Sequence, residues 1–326
     1  MRALILSAGL GERLRPLTQL RAKPAIEFLN MPMLAFPYFW LNTLGLSDVV
    51  FNTHHLEDSV RRAAMHVALP ETRIHFSHEH EILGSGGGIW NARFDLMKDA
   101  TFAVANADGV ILSPDPELFL MMRDFQERGN ALATLLVCPL EGVGTRLPGA
   151  WVNRDGTIAG FGKTSPGAGT ECLHYASYML LSEKIWPLLP EGRSNIIYDV
   201  LEPQIKKGAR VQAFRADDLR WFETGNMEDY LAATKACLEL IRDKTRLGEC
   251  ALDILEHHAQ PFSLHSHLGR MHLIADSAEI HQSVQINGFA VVGENTRVGM
   301  GSSLKDCVVL NEAAVNGLNV HNTVII

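Results

Sequence analysis

Residues 3–14 read Ala-Leu-Ile-Leu-Ser-Ala-Gly-Leu-Gly-Glu-Arg-Leu, a short apolar run followed by a glycine-rich turn. The run predicts a buried strand, and Gly9 and Gly11 after it would let backbone N–H groups approach a phosphate group. Arg13 adds a fixed cation. Residues 1–26 hold five Arg and Lys residues against one Glu, although the whole chain has a net charge of −8. The stretch therefore predicts a polyphosphate site, with a plain strand-to-helix turn as the alternative.

The amino-acid composition limits the classes of protein to which the chain can belong. A chain of 326 residues is expected to form two domains, and 47% hydrophobic residues allow a sizeable core. The net charge of −8 argues against a nucleic-acid partner. Residues 28–47, the least charged stretch, are interrupted by Pro32 and Pro37, and the first apolar run is too short for a signal peptide. Five widely spaced cysteines indicate reduced thiols, so we expect a cytoplasmic protein that binds no membrane.

The first 245 residues alternate short apolar runs with helical patterns. Strands are predicted at residues 3–6, 49–51, 74–76, 102–105 and 132–137, and helices at 33–44, 56–69, 88–97, 116–128 and 226–244. This alternation predicts an α/β fold, a mostly parallel Rossmann-like domain over residues 1–245. Its ligands are expected at the carboxyl ends of the strands.

The end of the chain has a different period. Aliphatic residues recur at every sixth position, at Ile274, Ile280, Ile286, Val292, Val298, Leu304 and Leu310. A period of six predicts a solenoid in which three hexads make one coil, and the pattern resembles the hexapeptide repeat of short left-handed parallel β-helices. An ordinary β-meander is the alternative. We therefore predict a linker and β-helix over residues 246–326, with repeats from about 274, and expect this tail to serve assembly into a homo-oligomer or regulation.

Several motifs resemble one known family. The pattern Ala8-Gly9-x-Gly11-x-Arg13-Leu14-x-Pro16-Leu17-Thr18, followed by Lys23-Pro24, resembles the signature of sugar-1-phosphate nucleotidyltransferases. Residues 81–88, which read Glu-Ile-Leu-Gly-Ser-Gly-Gly-Gly, resemble the nucleobase loop of that family. Asn106-x-Asp108 and Trp221-x-Glu223-x-Gly225 resemble its two metal motifs. A hexapeptide β-helix tail is frequent in this family.

The resemblance implies a reaction in which an NTP and a sugar 1-phosphate give an NDP-sugar and pyrophosphate. It implies catalytic roles for Arg13 and Lys23 and an Mg²⁺ ion held by Asp108 and Glu223. The implied nucleotide-binding residues are Leu6, Ala8, Gly9, Gly11, Gly84, Ser85, Gly86 and Gly87, and the implied sugar-phosphate-binding residues are Gly162, Lys163 and Ser177. Mannose 1-phosphate with GTP is the first expectation for the substrates, and a UTP- or dTTP-dependent enzyme is the alternative.

Three positions depart from the family pattern. Glu223 stands where the family usually has Asp, Gly162 where it usually has Glu, and Ala176-Ser177 where it has a Thr-Gly or similar step. The last two belong to the expected sugar pocket. A non-catalytic relative that binds an NDP-sugar and regulates a partner therefore remains an alternative. A hexapeptide acyltransferase, for which His281 would be the candidate base, is disfavoured.

Overall fold

The computed structural model describes residues 1–267 and 270–326, and in it the chain passes three times between two units. The first unit contains Met1–Gly9 and Phe36–Trp221, and the second contains Leu10–Ala35 and Phe222–Ile326. The glycine-rich turn is therefore divided between them after Gly9. The predicted domain boundary near residue 245 stays a prediction.

The strands and helices have the following bounds. The strands are β1 (Arg2–Leu6), β2 (Glu27–Phe28), β3 (Met31–Pro32), β4 (Asp48–Thr53), β5 (Arg73–His78), β6 (Thr101–Asn106), β7 (Val110–Leu112), β8 (Ala133–Cys138), β9 (Gly149–Val152), β10 (Ile158–Gly162), β11 (Glu171–Ser182), β12 (Val211–Arg215), β13 (Arg220–Phe222), β14 (Phe262–His267), β15 (Arg270–Ala275), β16 (Glu279–Ile280), β17 (Gln285–Val292), β18 (Arg297–Val298), β19 (Ser303–Val309), β20 (Ala314–Val315), β21 (Asn319–His321) and β22 (Val324–Ile325). The helices are α1 (Ala35–Asn42), α2 (Glu57–Val67), α3 (Gly84–Asn91), α4 (Arg93–Leu96), α5 (Leu118–Gly129), α6 (Glu202–Lys206), α7 (Met227–Arg242) and α8 (Arg246–His258).

The main sheet of the first unit has a parallel centre and an antiparallel side. Its order is β10-β9-β11-β6-β1-β4-β5, and β1 pairs in parallel with both β4 and β6. Strand β11 runs antiparallel to β6, β8 and β9. The predicted α/β class with a parallel-rich sheet is confirmed, and the antiparallel strands lie in the middle of the chain, where the sequence pattern is irregular.

Burial explains why the central strands are continuous apolar runs. Leu4, Val50 and Val104, on three neighbouring strands, are each no more than 1% exposed. Strands that are covered on both faces carry apolar residues at successive positions, without alternation. Their carboxyl ends, at Leu6, Thr53 and Asn106, come to one edge of the sheet, which is where a ligand is expected.

The second unit contains helices α7 and α8 and a segment of short strands that we call the repeat segment (residues 270–326). Asn226 and Thr245 cap the two helices by accepting hydrogen bonds from the backbone N–H groups of Asp229 and Gly248, at 3.0 Å in each case. Helix α7 confirms the helix predicted at 226–244. Helix α8 occupies a stretch that had been expected to be a linker.

The repeat segment stacks parallel strands from successive passes of the chain. Ile286 pairs with Leu304, which pairs in turn with Val320, at separations of 18 and 16 positions. The aliphatic residues predicted at period six contribute to a common core that includes Val292, Val298 and Leu304. The assignment of this segment as a left-handed hexapeptide β-helix stays a prediction. Over the residues that the structure describes, no helix combines the length and the hydropathy needed to cross a bilayer.

Candidate active site

In the first unit, the start of the glycine-rich turn is fixed by Asn52 at the carboxyl end of β4. The backbone N–H of Ser7 donates to Asn52 Oδ1 at 2.6 Å, and Ser7 Oγ donates to the Asn52 carbonyl at 2.5 Å. Both residues are buried. A Cβ added to Gly9 would meet no atom within 4 Å, so the predicted phosphate-binding backbone at Gly9 borders open space.

The same network continues to the predicted nucleobase loop through Glu79, which is 1% exposed. Asn52 Nδ2 donates to Glu79 Oε1 at 2.7 Å, and the N–H of Leu83 donates to Glu79 Oε2 at 2.9 Å. Glu79 belongs to none of the motifs found in the sequence. A carboxylate one residue after a strand that ends at the ligand edge is the signal that could have found it.

The glycine run that was predicted to be a loop forms the first turn of α3. Gly84 has φ +72°, and the N–H groups of Gly86 and Gly87 donate to the carbonyl of Ser194 at 2.9 and 3.4 Å. Ser85 Oγ accepts from the N–H of Ile196 at 3.0 Å. Side chains at these glycines would collide with the segment of residues 192–196. The glycines thus have a structural reason within the first unit, and their contact with a nucleobase stays a prediction.

Asp108 lies in a turn at the carboxyl end of β6, and β11 supports that turn. Its carbonyl accepts from the N–H of Val110 at 3.0 Å. The neighbouring carbonyl of Gly109 accepts from the buried Tyr178 hydroxyl at 2.6 Å. A Cβ added to Gly109 would lie 3.0 Å from Ser177 Cβ. The structure therefore brings the predicted metal ligand and one predicted sugar-site residue together.

Ser177 itself has a left-handed backbone, with φ +74°. The pairing of β11 with β8 shifts register between Tyr175 and Met179, so Ser177 lies in an irregular stretch of the strand. Residues other than glycine are held in this region only where the surrounding structure requires it. The family pattern has a Thr-Gly or similar step in place of Ala176-Ser177, and glycine adopts a left-handed conformation without strain.

Close to Ser177, His174 packs against the Trp221 ring, with ring centroids 4.2 Å apart. Burial lowers the pKa of His174 to about 4, so the imidazole is neutral at neutral pH. Trp221 belongs to the second metal motif that the sequence analysis identified.

Gly162 and Lys163 lie at the end of β10, the edge strand of the main sheet. Gly162 has φ +123°, a conformation that other residues rarely adopt, and its carbonyl accepts from Trp151 Nε1 at 3.2 Å. The glycine therefore suits the local backbone, and a Glu at this position would be strained. Lys163 is exposed, and β9 and β11 separate its strand from β6.

In the second unit, Gly11 allows close packing around Lys23. Gly11 has φ +61°, and its carbonyl accepts from Thr18 Oγ1 at 3.1 Å. A Cβ added there would lie 2.8 Å from Thr18 Cγ2 and 3.0 Å from Lys23 Cβ. Lys23 is only 8% exposed, in a short 3-10 turn. The sequence spacing between Gly11 and Lys23 thus corresponds to a contact.

Arg13 and Glu223 also meet within the second unit. Arg13 Nη2 lies 4.0 Å from Glu223 Oε1, and the absence of a side chain at Gly225 leaves room for both groups. The Arg13 side chain is 69% exposed, so the ion pair contributes little to stability. The structure thus places a predicted catalytic cation 4.0 Å from a predicted metal ligand.

The predicted site residues are therefore divided between the units. Gly11, Arg13, Lys23 and Glu223 belong to the second, and Leu6, Ala8, Gly9, Gly84, Ser85, Gly86, Gly87, Asp108, Gly162, Lys163 and Ser177 belong to the first. Within residues 1–267 and 270–326, no group of three or more His, Cys, Asp or Glu side chains is arranged to hold a metal.

Part of the chain matches the model of a known protein family. Residues 2–143 match the model of the Nucleotidyl transferase family. A mannose-1-phosphate guanyltransferase of Schizosaccharomyces pombe is 29% identical over 245 residues, covering 74% of this chain and 66% of its own length. The corresponding protein of Yarrowia lipolytica is 35% identical over 143 residues, covering 43% of this chain and 38% of its own length. The chain therefore spans less than two thirds of either relative.

Two solved structures share the fold. UDP-glucose pyrophosphorylase from Acinetobacter baumannii superposes with a TM-score of 0.62 and 18% identity, covering 78% of this chain and 98% of its own. HddC from Yersinia pseudotuberculosis in complex with GMP-PN gives a TM-score of 0.57 and 21% identity, covering 72% of this chain and 98% of its own.

Residues 2–143 thus match the class of the nucleotidyl transferases. Over a longer stretch the chain is similar to mannose-1-phosphate guanyltransferases, which supports placing it with the sugar-1-phosphate nucleotidyltransferases.

Proposed function

We propose that the protein transfers a nucleotidyl group from an NTP to a sugar 1-phosphate, releasing pyrophosphate. The packing of Lys23 against Gly11, in a segment that also carries Arg13, is the observation that carries this proposal. A buried lysine and an exposed arginine beside a glycine turn match the need to neutralise a polyphosphate. The position of Asp108 and Ser177 at a strand end of the first unit is consistent with the same reaction.

The mechanism is electrostatic. An oxygen of the sugar phosphate attacks the α-phosphorus of the NTP in line, and pyrophosphate leaves. Both reactants are anions, so the rate depends on holding them in position and on neutralising the charge that develops. We assign Arg13 to the triphosphate and the leaving pyrophosphate, Lys23 to the reacting phosphates, and Lys163 to the sugar phosphate. No covalent intermediate with the protein is required.

Asp108 and Glu223 are the residues that we propose to hold Mg²⁺. Their carboxylates have the oxygen chemistry that this ion prefers, and substrate phosphates and water supply the remaining ligands of such sites. The bound ion would neutralise phosphate charge.

Mannose 1-phosphate with GTP is the substrate pair that we favour, because several similar relatives carry the name mannose-1-phosphate guanyltransferase. A UTP- or dTTP-dependent enzyme is the alternative. We also propose a cytoplasmic location and an assembly role for the tail, both of which rest on the sequence analysis.

The test is a matrix of four NTPs against a panel of sugar 1-phosphates, with pyrophosphate release as the readout. Turnover that is highest with GTP and mannose 1-phosphate would support the favoured pair. Turnover with another pair would support the reaction class and correct the specificity. Binding of an NDP-sugar without turnover in any combination would favour the non-catalytic relative, for which Gly162 in place of Glu is the specific argument.

A further inference from the structure

Two backbone carbonyls of the repeat segment accept hydrogen bonds from side chains of residues 10–35. Arg21 Nη2 donates to the carbonyl of Asn311 at 2.9 Å, and Asn30 Nδ2 donates to the carbonyl of Val292 at 3.0 Å. The partners in each pair are separated by 290 and 262 positions in sequence, and all four residues belong to the second unit. These bonds tie the segment that carries Arg13 and Lys23 to the end of the chain.

The accepting carbonyls come from stacked turns of the repeat segment. The N–H of Gly293 donates to the carbonyl of Val309 at 2.8 Å, and the N–H of Glu294 donates to Asn311 Oδ1 at 2.8 Å. A side chain at Gly293 would collide with Asn311. The two acceptors are therefore fixed with respect to each other by the stacking of the repeat.

The donors are held equally firmly. Arg21 also pairs with Glu27, and the Tyr230 hydroxyl of α7 donates to the Glu27 carbonyl. Asn30 is 4% exposed and has φ +62°, in the tight turn that joins β2 to β3. The buried Asn30 amide would pay the full desolvation cost of its N–H groups if it lost its acceptor. The Arg21 side chain is 23% exposed, and it is restricted by its two partners, Glu27 and the Asn311 carbonyl.

Lys23 lies between the two anchors in sequence, two residues after Arg21 and seven before Asn30. Its 3-10 turn is closed by the N–H of Ile26, which donates to the Lys23 carbonyl at 3.1 Å. Anchoring on both sides leaves this turn little freedom to move. A catalytic cation that must act on a phosphate at a defined distance requires such restriction.

We infer that the repeat segment is a positioning element for nucleotidyl transfer, which acts by holding Arg21 and Asn30 and thereby the backbone of Lys23 and Arg13. This inference rests on the proposed function. Arg21 and Asn30 are positioning residues. The repeat segment therefore supports catalysis without touching the substrates, and its role is not limited to assembly.

The variants are chosen to remove one anchor at a time in the full-length chain. Arg21→Met combined with Glu27→Gln removes the bond to Asn311 without leaving a buried carboxylate unpaired. Asn30→Gly removes the second bond and tolerates the left-handed backbone, since glycine adopts positive φ without strain. Arg297→Met is the matched control, because Arg297 lies in the repeat segment and its ion pair with Glu279 is exposed.

Two measurements distinguish a loss of positioning from a general loss of stability. In both anchor variants we expect kcat to fall at least about tenfold with the NTP KM changed less than about twofold. Hydrogen exchange of residues 12–26 should become at least about tenfold faster while exchange in β6 stays unchanged. Arg297→Met should match wild type in both measurements.

Turnover within about twofold of wild type in both anchor variants would overturn the inference. Lost turnover with unchanged exchange in residues 12–26 would overturn it as well. If the wild-type protein shows no turnover with any substrate pair, the proposed function fails. The exchange comparison then decides by itself whether the repeat segment holds residues 12–26.

Discussion

At the scale of single residues, Lys23 and Arg13 are the side chains on which the proposed reaction depends most. We expect Lys23→Ala and Arg13→Ala each to lower turnover at least ~100-fold, because removing one preorganised charge stabiliser typically costs ~10²–10³. Initial rates of pyrophosphate release would measure the loss, and circular dichroism would confirm that the fold survives. Lys207→Ala, at an exposed position outside every motif, is the control. Near wild-type rates in either variant would reject the assignment.

The two proposed metal ligands call for different substitutions. Asp108→Asn should abolish turnover and leave the melting temperature within a few degrees, because the amide keeps the size of the side chain but loses its charge. Glu223→Asp restores the residue that the family usually carries and should retain or raise activity. Titration with Mg²⁺ and Mn²⁺ after EDTA treatment is the measurement. Full activity in excess EDTA would contradict the metal role.

Ser177 allows the cost of its own backbone to be tested. Ser177→Gly should be at least as stable as wild type, because glycine relieves a left-handed conformation that costs other residues on the order of 1 kcal/mol. Ser177→Ala keeps that cost and removes the hydroxyl. We expect the melting temperature of the glycine variant to exceed that of the alanine variant. The reverse order would show that packing against Gly109, rather than backbone conformation, dominates at this position.

At the scale of elements, the carboxyl ends of β1 and β4 are joined to the N-terminus of α3 through Glu79. Glu79→Gln should lower the free energy of unfolding by ~1–3 kcal/mol, because the amide cannot accept from both Asn52 and Leu83 and leaves a buried donor unpaired. Urea denaturation followed by fluorescence would measure the change. Glu81→Gln is the matched control, because Glu81 is exposed and lies two residues after Glu79. Gln126→Glu would not serve as a control, because Gln126 is buried. Equal stability of both variants would show that the network contributes nothing.

The elements that the sequence predicted well are those set by local pattern. Strands β1, β4, β6 and β8 were predicted because buried strands are short runs of apolar residues. Strand β5, which is only partly buried, was predicted from the alternation in Ile74-His75-Phe76. The start of α3 was missed because four glycines predict a loop on propensity alone. Contacts with Ser194, more than a hundred positions away, stabilise the helical turn instead. Propensity yields to tertiary contact at such positions.

The sequence indicated some of the contacts around the candidate site and gave no sign of others. Gly11 and Lys23 were identified because the motif that contains both resembles a family signature, and the structure shows that they pack against each other. The anchors at Arg21 and Asn30 could not be predicted, because their acceptors are backbone carbonyls nearly the whole chain away, and a carbonyl carries no sequence signal.

At the scale of the whole molecule, Glu27 makes stability depend on pH. Burial raises the pKa of Glu27 to about 7, with Arg21 opposing the rise and Glu294 and Glu312 adding to it. Tyr230, from α7, is the other ionisable side chain that we place beside it. The folded chain therefore binds this proton more tightly than the unfolded chain, whose Glu has a pKa near 4.5.

The contribution of this proton to stability is full below pH 4.5 and is lost as the pH rises through about 7. We expect Glu27→Gln to reduce the decline in the free energy of unfolding across this window, because an amide does not ionise. Denaturation at a series of pH values, with wild type alongside, is the measurement. Parallel curves for the two proteins would contradict a titration of Glu27 in this range.

The division of the chain into two interleaved units has a consequence for biosynthesis. Arg21 leaves the ribosome 290 residues before its acceptor Asn311 does. At roughly 5–20 residues per second, this delay is on the order of 15–60 s. Most of the first unit, Phe36–Trp221, is made during that time, while the segment with Arg13 and Lys23 still lacks the bond from Arg21 to Asn311. A chain whose translation stops before residue 311 therefore contains Arg13 and Lys23 but lacks the acceptor that Arg21 binds in the complete fold.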